Sequence, residues 1–171
     1  MSARLAGIPL LVLGVGNPLH RDDGLGPAAL SLLSRRWRAP EGVRVLDGGP
    51  LGPKLLPWLA RAKALIVVDA VYIDEPPGTL ARLTGRAEVL HAEAERLGLQ
   101  EAGDLALPRR LSLLGIVPEK TGVGLRRSRC VEQALPALVD SIVAEAGGHG
   151  FRFVPLNRPA PAPAISQPEG R

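Results

Sequence analysis

The chain has 171 residues, enough for one domain with its own core, and its 46 % apolar share holds only 3 % aromatics, so that core must be aliphatic. The net charge of +4 is spread thinly, half of it after Gly150 where Arg152, Arg158 and Arg171 face only Glu169, and few aromatic rings are available to stack on bases, which argues against nucleic-acid binding. A single cysteine, Cys130, excludes an internal disulfide or a CxxC site, and with no run of 18 apolar residues and no cleavable leader the sequence predicts a cytoplasmic chain without membrane insertion.

In chain order, Ile8 to Val15 is a continuous apolar run ending in glycines, the pattern of a central strand that feeds a loop. Leu25, Ala28, Ala29, Leu32 and Leu33 then repeat at helical spacing, with Pro27 in the first turn and Arg35 and Arg36 in the last, where cations suit the helix dipole. Val43 to Leu46 predicts a short second strand, followed by Asp47-Gly48-Gly49. Leu51, Leu55, Trp58 and Leu59 mark a second helix that Pro57 should shorten or kink. Ala64 to Val68 is apolar on both faces and ends at Asp69, a central strand with a carboxylate at its tip. Pro76-Pro77-Gly78 is a turn, Thr79 to Leu83 an edge strand, and Glu88 to Ala106 a helix broken near Gly98 and Gly103. Leu111 to Val117 is a further buried strand closed by Pro118. The last helix carries one stripe from Val131 to Val143, bent at Pro136 and stopped at Gly147-Gly148.

Strands alternating with helices predict a three-layer α/β domain over residues 1–150, a mainly parallel twisted sheet of about five strands with helices on both faces. Residues 151–171, rich in Pro and Ala and without periodicity, read as a disordered tail. In such sheets the functional crevice lies beyond the carboxyl ends of the strands. Asp23, Asp47 and Asp69 follow the first, second and third strands, so three carboxylates are expected on one rim. Gly14 and Gly16 suggest a dinucleotide loop, but position 19 is Leu rather than the third glycine, and Asp22 and Asp23 stand where a phosphate would have to bind. One of those two acids can serve as a helix N-cap; the second exceeds that need and is read as functional. Asp69, at the end of a buried run, must be paired, hydrogen-bonded or metal-bound.

The loop Gly14-x-Gly16-Asn17-x-Leu19-x-x-Asp22-Asp23-Gly24-x-Gly26 resembles the signature of the hydrogenase maturation proteases. Asp47-Gly48-Gly49, Leu55-Leu56, Ile66-Val67-Val68-Asp69-Ala70-Val71, Pro77-Gly78-Thr79 and Leu114-Gly115-Ile116-x-Pro118-Glu119 follow in that family's order, and the likeness covers about residues 9–145. Pro50 departs from the Thr common in the family. The resemblance implies a metal-dependent endopeptidase, aspartic-type by family classification. Its implied task is to remove a C-terminal extension from the precursor of a [NiFe] hydrogenase large subunit once nickel has been inserted. It implies nickel carried by that precursor rather than by the enzyme. The chain is expected to be a monomer. The implied metal-contacting residues are Asp23, where the family often has Glu, Asp69 and a histidine. His91 is favoured for the last because it lies in the segment where the family's histidine begins a helix. His20, beside the acidic loop, is the rival, and His149 stands apart in the terminal linker. Asp47 is a candidate base or supporting residue, which makes Asp23, Asp69 and Asp47 the candidate catalytic set. Two oxygen donors and an imidazole suit a divalent ion such as Ni²⁺. No Ser-His-Asp, Cys-His or His-Glu-x-x-His arrangement is recognisable. A non-proteolytic metal-binding maturation chaperone on the same fold would use the same carboxylates without cleavage. A different α/β hydrolase or nucleotide enzyme is favoured only if the acidic rim is dispersed.

Overall fold

Strand β1, Leu10–Val15, is buried along its whole length and is an inner strand, second from one edge of a five-stranded sheet. The computed structural model describes residues 7–49, 55–85, 89 and 107–157. After β1 come a 3-10 turn at Arg21–Gly24 and helix α1, Leu25–Arg36. Next are strands β2, Trp37–Arg38, and β3, Val43–Gly49, then helix α2, Leu56–Leu59, and strand β4, Ala64–Ala70. Strands β5, Leu80–Thr84, and β6, Arg110–Ile116, complete the sheet, and helix α3, Arg129–Gly148, and strand β7, Val154–Pro155, close the described chain. The sheet order is β3-β1-β4-β6-β5, parallel except for the antiparallel edge strand β5. This is the three-layer, mainly parallel α/β architecture that the element order predicts.

The period of two along the strands sorts the side chains into two cores. Leu10, Val12, Ile66, Val68 and Leu114 meet α1 and α3 on one face. Leu11, Leu13, Leu65, Val67 and Leu113 meet Leu55 and Leu59, beside α2, on the other. Both faces of β1 and β4 are covered, so their sequences are unbroken apolar runs rather than alternating ones.

Pro57 lies in the first turn of α2, where its missing N–H costs nothing, and the helix is short, as expected, at four residues. Helix α3 ends at Gly148, as the Gly147-Gly148 pair predicts, and beyond it Gly150 takes φ +88 while Phe151 N–H returns to the Ala146 carbonyl at 2.9 Å. One expectation changes. The chain beyond Gly150 is not all tail. Phe153 is buried in the core beside α1 and α3, β7 pairs with β2, and Leu156 N–H donates to the Arg36 carbonyl, so the packed domain extends to Asn157. The remainder of the expected tail, residues 158–171, lies outside the described residues, as do Pro50 and nearly all of the expected helix at 88–106. Among the described residues no helix is long and apolar enough to cross a membrane.

Candidate active site

The carboxyl ends of β1, β3 and β4 lie side by side, and the loops leaving them form the rim. At the end of β1 the chain must turn sharply under the first turn of α1. Gly16 permits this: its φ is +117, and a Cβ there would fall on the Asp23 carbonyl oxygen and within 3.4 Å of Asp69 Oδ1. Gly16 therefore separates the Asp23 turn from the Asp69 carboxylate by a single Cα, and the glycine is what lets the two approach. Gly26 acts similarly one turn on, since any Cβ would strike the Val15 and Val68 carbonyls, so α1 starts directly on the tips of β1 and β4.

Asp69 is fully buried, and its Oδ1 accepts the Ala70 N–H at 2.7 Å. Asp23 is half-buried, and its Oδ2 accepts the Asn17 N–H at 2.9 Å, which folds the carboxylate back over the loop that leaves β1. The structure thus brings Asp23 and Asp69 to the same corner of the rim.

It does not bring Asp47 there. Asp47 shares its strand face with Val43 and Val45, which pack toward α1, and its side chain is exposed beside Pro27, Ser31 and Ser34. Asp69 alternates with Leu65 and Val67 on the opposite face of the sheet. The Asp47 carboxylate instead accepts the Gly49 N–H at 3.0 Å and shapes the turn after β3. The three-carboxylate rim is real at the level of backbone positions, but the Asp47 side chain lies on the opposite face of the sheet from Asp69.

The functional reading of the doubled acid assigned one of the pair to an N-cap. Neither plays that part: Gly24 is the N-cap of α1, without a side-chain hydrogen bond. Asp22 points inward and ties its turn to the distant loop at 119–128. Its Oδ2 accepts the Glu119 N–H at 2.9 Å, the Lys120 N–H at 2.8 Å and the Ser128 hydroxyl at 2.7 Å, and its Oδ1 accepts the Ser128 N–H at 2.6 Å. Burial works to raise its pKa, but the donors from Lys120, Ser128 and Glu119 outweigh it and hold the carboxyl below its ordinary value. Further bonds stitch the same loops: Arg21 N–H donates to the Gly124 carbonyl, Gly124 N–H to the Leu19 carbonyl and Asp22 N–H to the Lys120 carbonyl. Arg21 adopts φ 50 to make this turn, an uncommon value for a residue with a side chain. Leu19, Val123 and Leu125 stand exposed on this stitched surface, an apolar edge beside the Asp23 turn. The sequence signal for Asp22 was the doubled acid itself; its partners, some hundred residues away, carry no local pattern.

The histidines divide. His20 is exposed in the stitched loop, bridged through its backbone to Gly124. His149 caps the far end of α3 beside Glu145, with its pKa lowered first by burial and then by the charge of Arg110. His91 lies outside the described residues. Among the described residues no group of three His, Cys, Asp or Glu side chains is arranged to hold a metal ion by itself.

Cys130 lies nearer the rim than its place at the start of α3 suggests. Its Sγ is 3.5 Å from Glu119 Oε2, and its Cβ backs onto the Gly78 turn, where an added Cβ would come within 2.9 Å. Burial, then the hydrogen bond and charge of Glu119, push the thiol pKa up, the reverse of what a nucleophile needs. Cys130→Ser, or alkylation of Cys130, should therefore leave processing activity within about twofold of wild type in a cleavage assay. Loss of cleavage with the fold retained would reject a thiol-independent mechanism.

Comparison with known proteins agrees with this architecture. The family described as hydrogenase maturation protease matches residues 27–145. The chain is 34 % identical over 169 residues to the hydrogenase expression/formation protein HoxM of Azotobacter vinelandii, covering 90 % of this chain and 82 % of the relative. It is 29 % identical over 164 residues to the hydrogenase 2 maturation protease of Escherichia coli, covering 85 % of this chain and 95 % of that one. The solved structure of the hydrogenase maturating endopeptidase HybD from E. coli superposes with a TM-score of 0.79 at 30 % identity, over 86 % of this chain and 97 % of that one.

Proposed function

The chain belongs to the hydrogenase maturation protease family, and we propose that it removes a C-terminal extension from the precursor of a [NiFe] hydrogenase large subunit that already carries nickel. The observation that carries this reading is the meeting of the Asp23 turn and the buried Asp69 carboxylate across Gly16, at the carboxyl ends of the central strands. In the proposal the nickel ion arrives as part of the substrate, and these two Asp residues and His91 meet it. Hard carboxylate oxygens and one imidazole are a donor set suited to a divalent ion.

Charge gives this arrangement its selectivity. Two carboxylates at one corner repel each other, and a substrate that brings a divalent cation relieves the repulsion. A precursor without the ion brings nothing that the acidic corner attracts. The exposed Leu19, Val123 and Leu125 next to the corner suit contact with a protein rather than with a small solute. Asp47, on the other face of the sheet, is left as a residue that shapes the β3 turn and acts on the reaction only indirectly.

The histidine assignment is tested by paired substitutions. His91→Ala should slow conversion of nickel-loaded precursor by about 100-fold or more, while His20→Ala should leave it close to wild type. The appearance of the new C terminus, followed by mass spectrometry, reads both; the reverse result would transfer the role to His20. Absence of any new C terminus with wild-type chain and loaded precursor would remove the proteolytic reading itself.

A further inference from the structure

The full length of α1 is lined on one side by a groove of about 460 Å³ that faces the first two turns of α3. Gly24, Pro27, Ser31 and Arg35 follow one another along it, roughly one per turn, with Arg36 at the far end. Glu132, Leu135 and Pro136 form the opposite wall. Pro18 and Gly24, which flank the Asp23 turn, line its end at the start of α1, so the groove begins next to that turn and leads away from it.

Its charge is graded. Near the mouth, Arg127 is paired with Glu132 at 2.7 Å. At the far end Arg35 and Arg36 are exposed, and among the described residues neither has an ionic partner. The lining therefore carries an excess positive charge that increases with distance from the corner. Pro136, on the α3 wall, has no N–H to give to the Glu132 carbonyl.

We propose that this groove holds the segment the enzyme releases, an extended peptide bearing carboxylates, its own C-terminal carboxylate among them. The inference rests on the endopeptidase reading given above. A channel between two helices admits an extended chain and excludes a folded body, so the free end of a precursor fits it and the remainder does not. The twelve residues of α1 span about 18 Å, which an extended peptide covers with about five or six residues. An acidic segment cut at the corner would thus reach Arg35 and Arg36 with its distal carboxylates, and the attraction holds it in line while the bond beside the corner is hydrolysed.

The test compares wild type with Arg35→Glu/Arg36→Glu and with the milder Arg35→Gln/Arg36→Gln, using Arg152→Glu, an exposed charge reversal outside the groove lining, as control. Each is assayed for cleavage of nickel-loaded precursor, for binding of a fluorescent peptide with the extension's sequence, and for sedimentation and thermal melting. The charge reversal should raise KM and peptide Kd by about tenfold at low salt, with kcat changed less than about twofold, and the effect should shrink as ionic strength rises. The glutamine pair should fall between, and Arg152→Glu should match wild type. Unchanged KM and Kd in a folded charge-reversed chain would overturn the proposal while leaving the endopeptidase reading intact. A change in sedimentation without a change in KM would overturn it too, and would make the groove a face between copies of this chain. Salt-sensitive peptide binding lost on charge reversal, with no cleavage by wild type, would uphold the groove and remove the endopeptidase reading.

Discussion

Asp22→Asn is expected to lower stability by about 2–4 kcal/mol, because a buried carboxylate that accepts four hydrogen bonds would be replaced by a group that accepts on one side only. The amide nitrogen would face one or more of the Glu119, Lys120 and Ser128 donors, leaving N–H against N–H. In a domain of this size the loss corresponds to a fall in melting temperature of about 5–15 °C. The sign with pH follows from the direction of the shift. The folded-state pKa of Asp22 is lowered, so its contribution is fully present above the unfolded carboxyl value and is lost as pH falls through the folded value. Thermal melts of wild type and Asp22→Asn should therefore differ most at neutral pH and converge in the acid range below about pH 4. A melting temperature unchanged at pH 7 would mean that the loops at 19–24 and 118–128 are held by something other than this carboxylate.

Asp23→Asn and Asp69→Asn should behave in the opposite way, sparing stability and removing activity. In each case the amide oxygen can keep the backbone bond from Asn17 N–H to Asp23 and from Ala70 N–H to Asp69. Each change removes one negative charge from the corner and so relieves repulsion in the free enzyme, and the melting temperature should stay within a few degrees of wild type or rise. Cleavage of nickel-loaded precursor should fall by about 100-fold or more, the scale of losing one preorganised electrostatic contact in a reacting site. A folded Asp69→Asn chain that cuts at the wild-type rate would remove Asp69 from the catalytic set.

The contrast between these neighbours shows what the sequence could and could not carry. The strands of the central sheet were legible because burial on both faces leaves unbroken apolar runs, and their mainly parallel direction followed from alternation with helices. The corner was legible because a glycine-rich loop followed by acids, and a buried strand ending in Asp69, are local patterns. Which of Asp22 and Asp23 turns inward was not, since it depends on the positive φ of Arg21 and on donors from 119, 120 and 128, far along the chain. Asp47 was misplaced for a reason the sequence did contain: a period of two puts it on the face of Val43 and Val45, away from Asp69. Strands β2 and β7, two residues each, are too short to show any period, and so Phe151 and Phe153 read as tail although Phe153 lies in the core.

Selectivity for the metal-bearing substrate is tested most directly with matched precursors. Wild-type chain is incubated with nickel-loaded and nickel-free forms of the same large-subunit precursor, and the C terminus is read by mass spectrometry over a range of enzyme concentrations. The loaded form should be cut at one position and the nickel-free form should remain whole at every dose, because in the proposed reading the ion is what engages the Asp23–Asp69 corner. Rapid cleavage of the nickel-free precursor would contradict metal recognition, even with the peptidase activity intact.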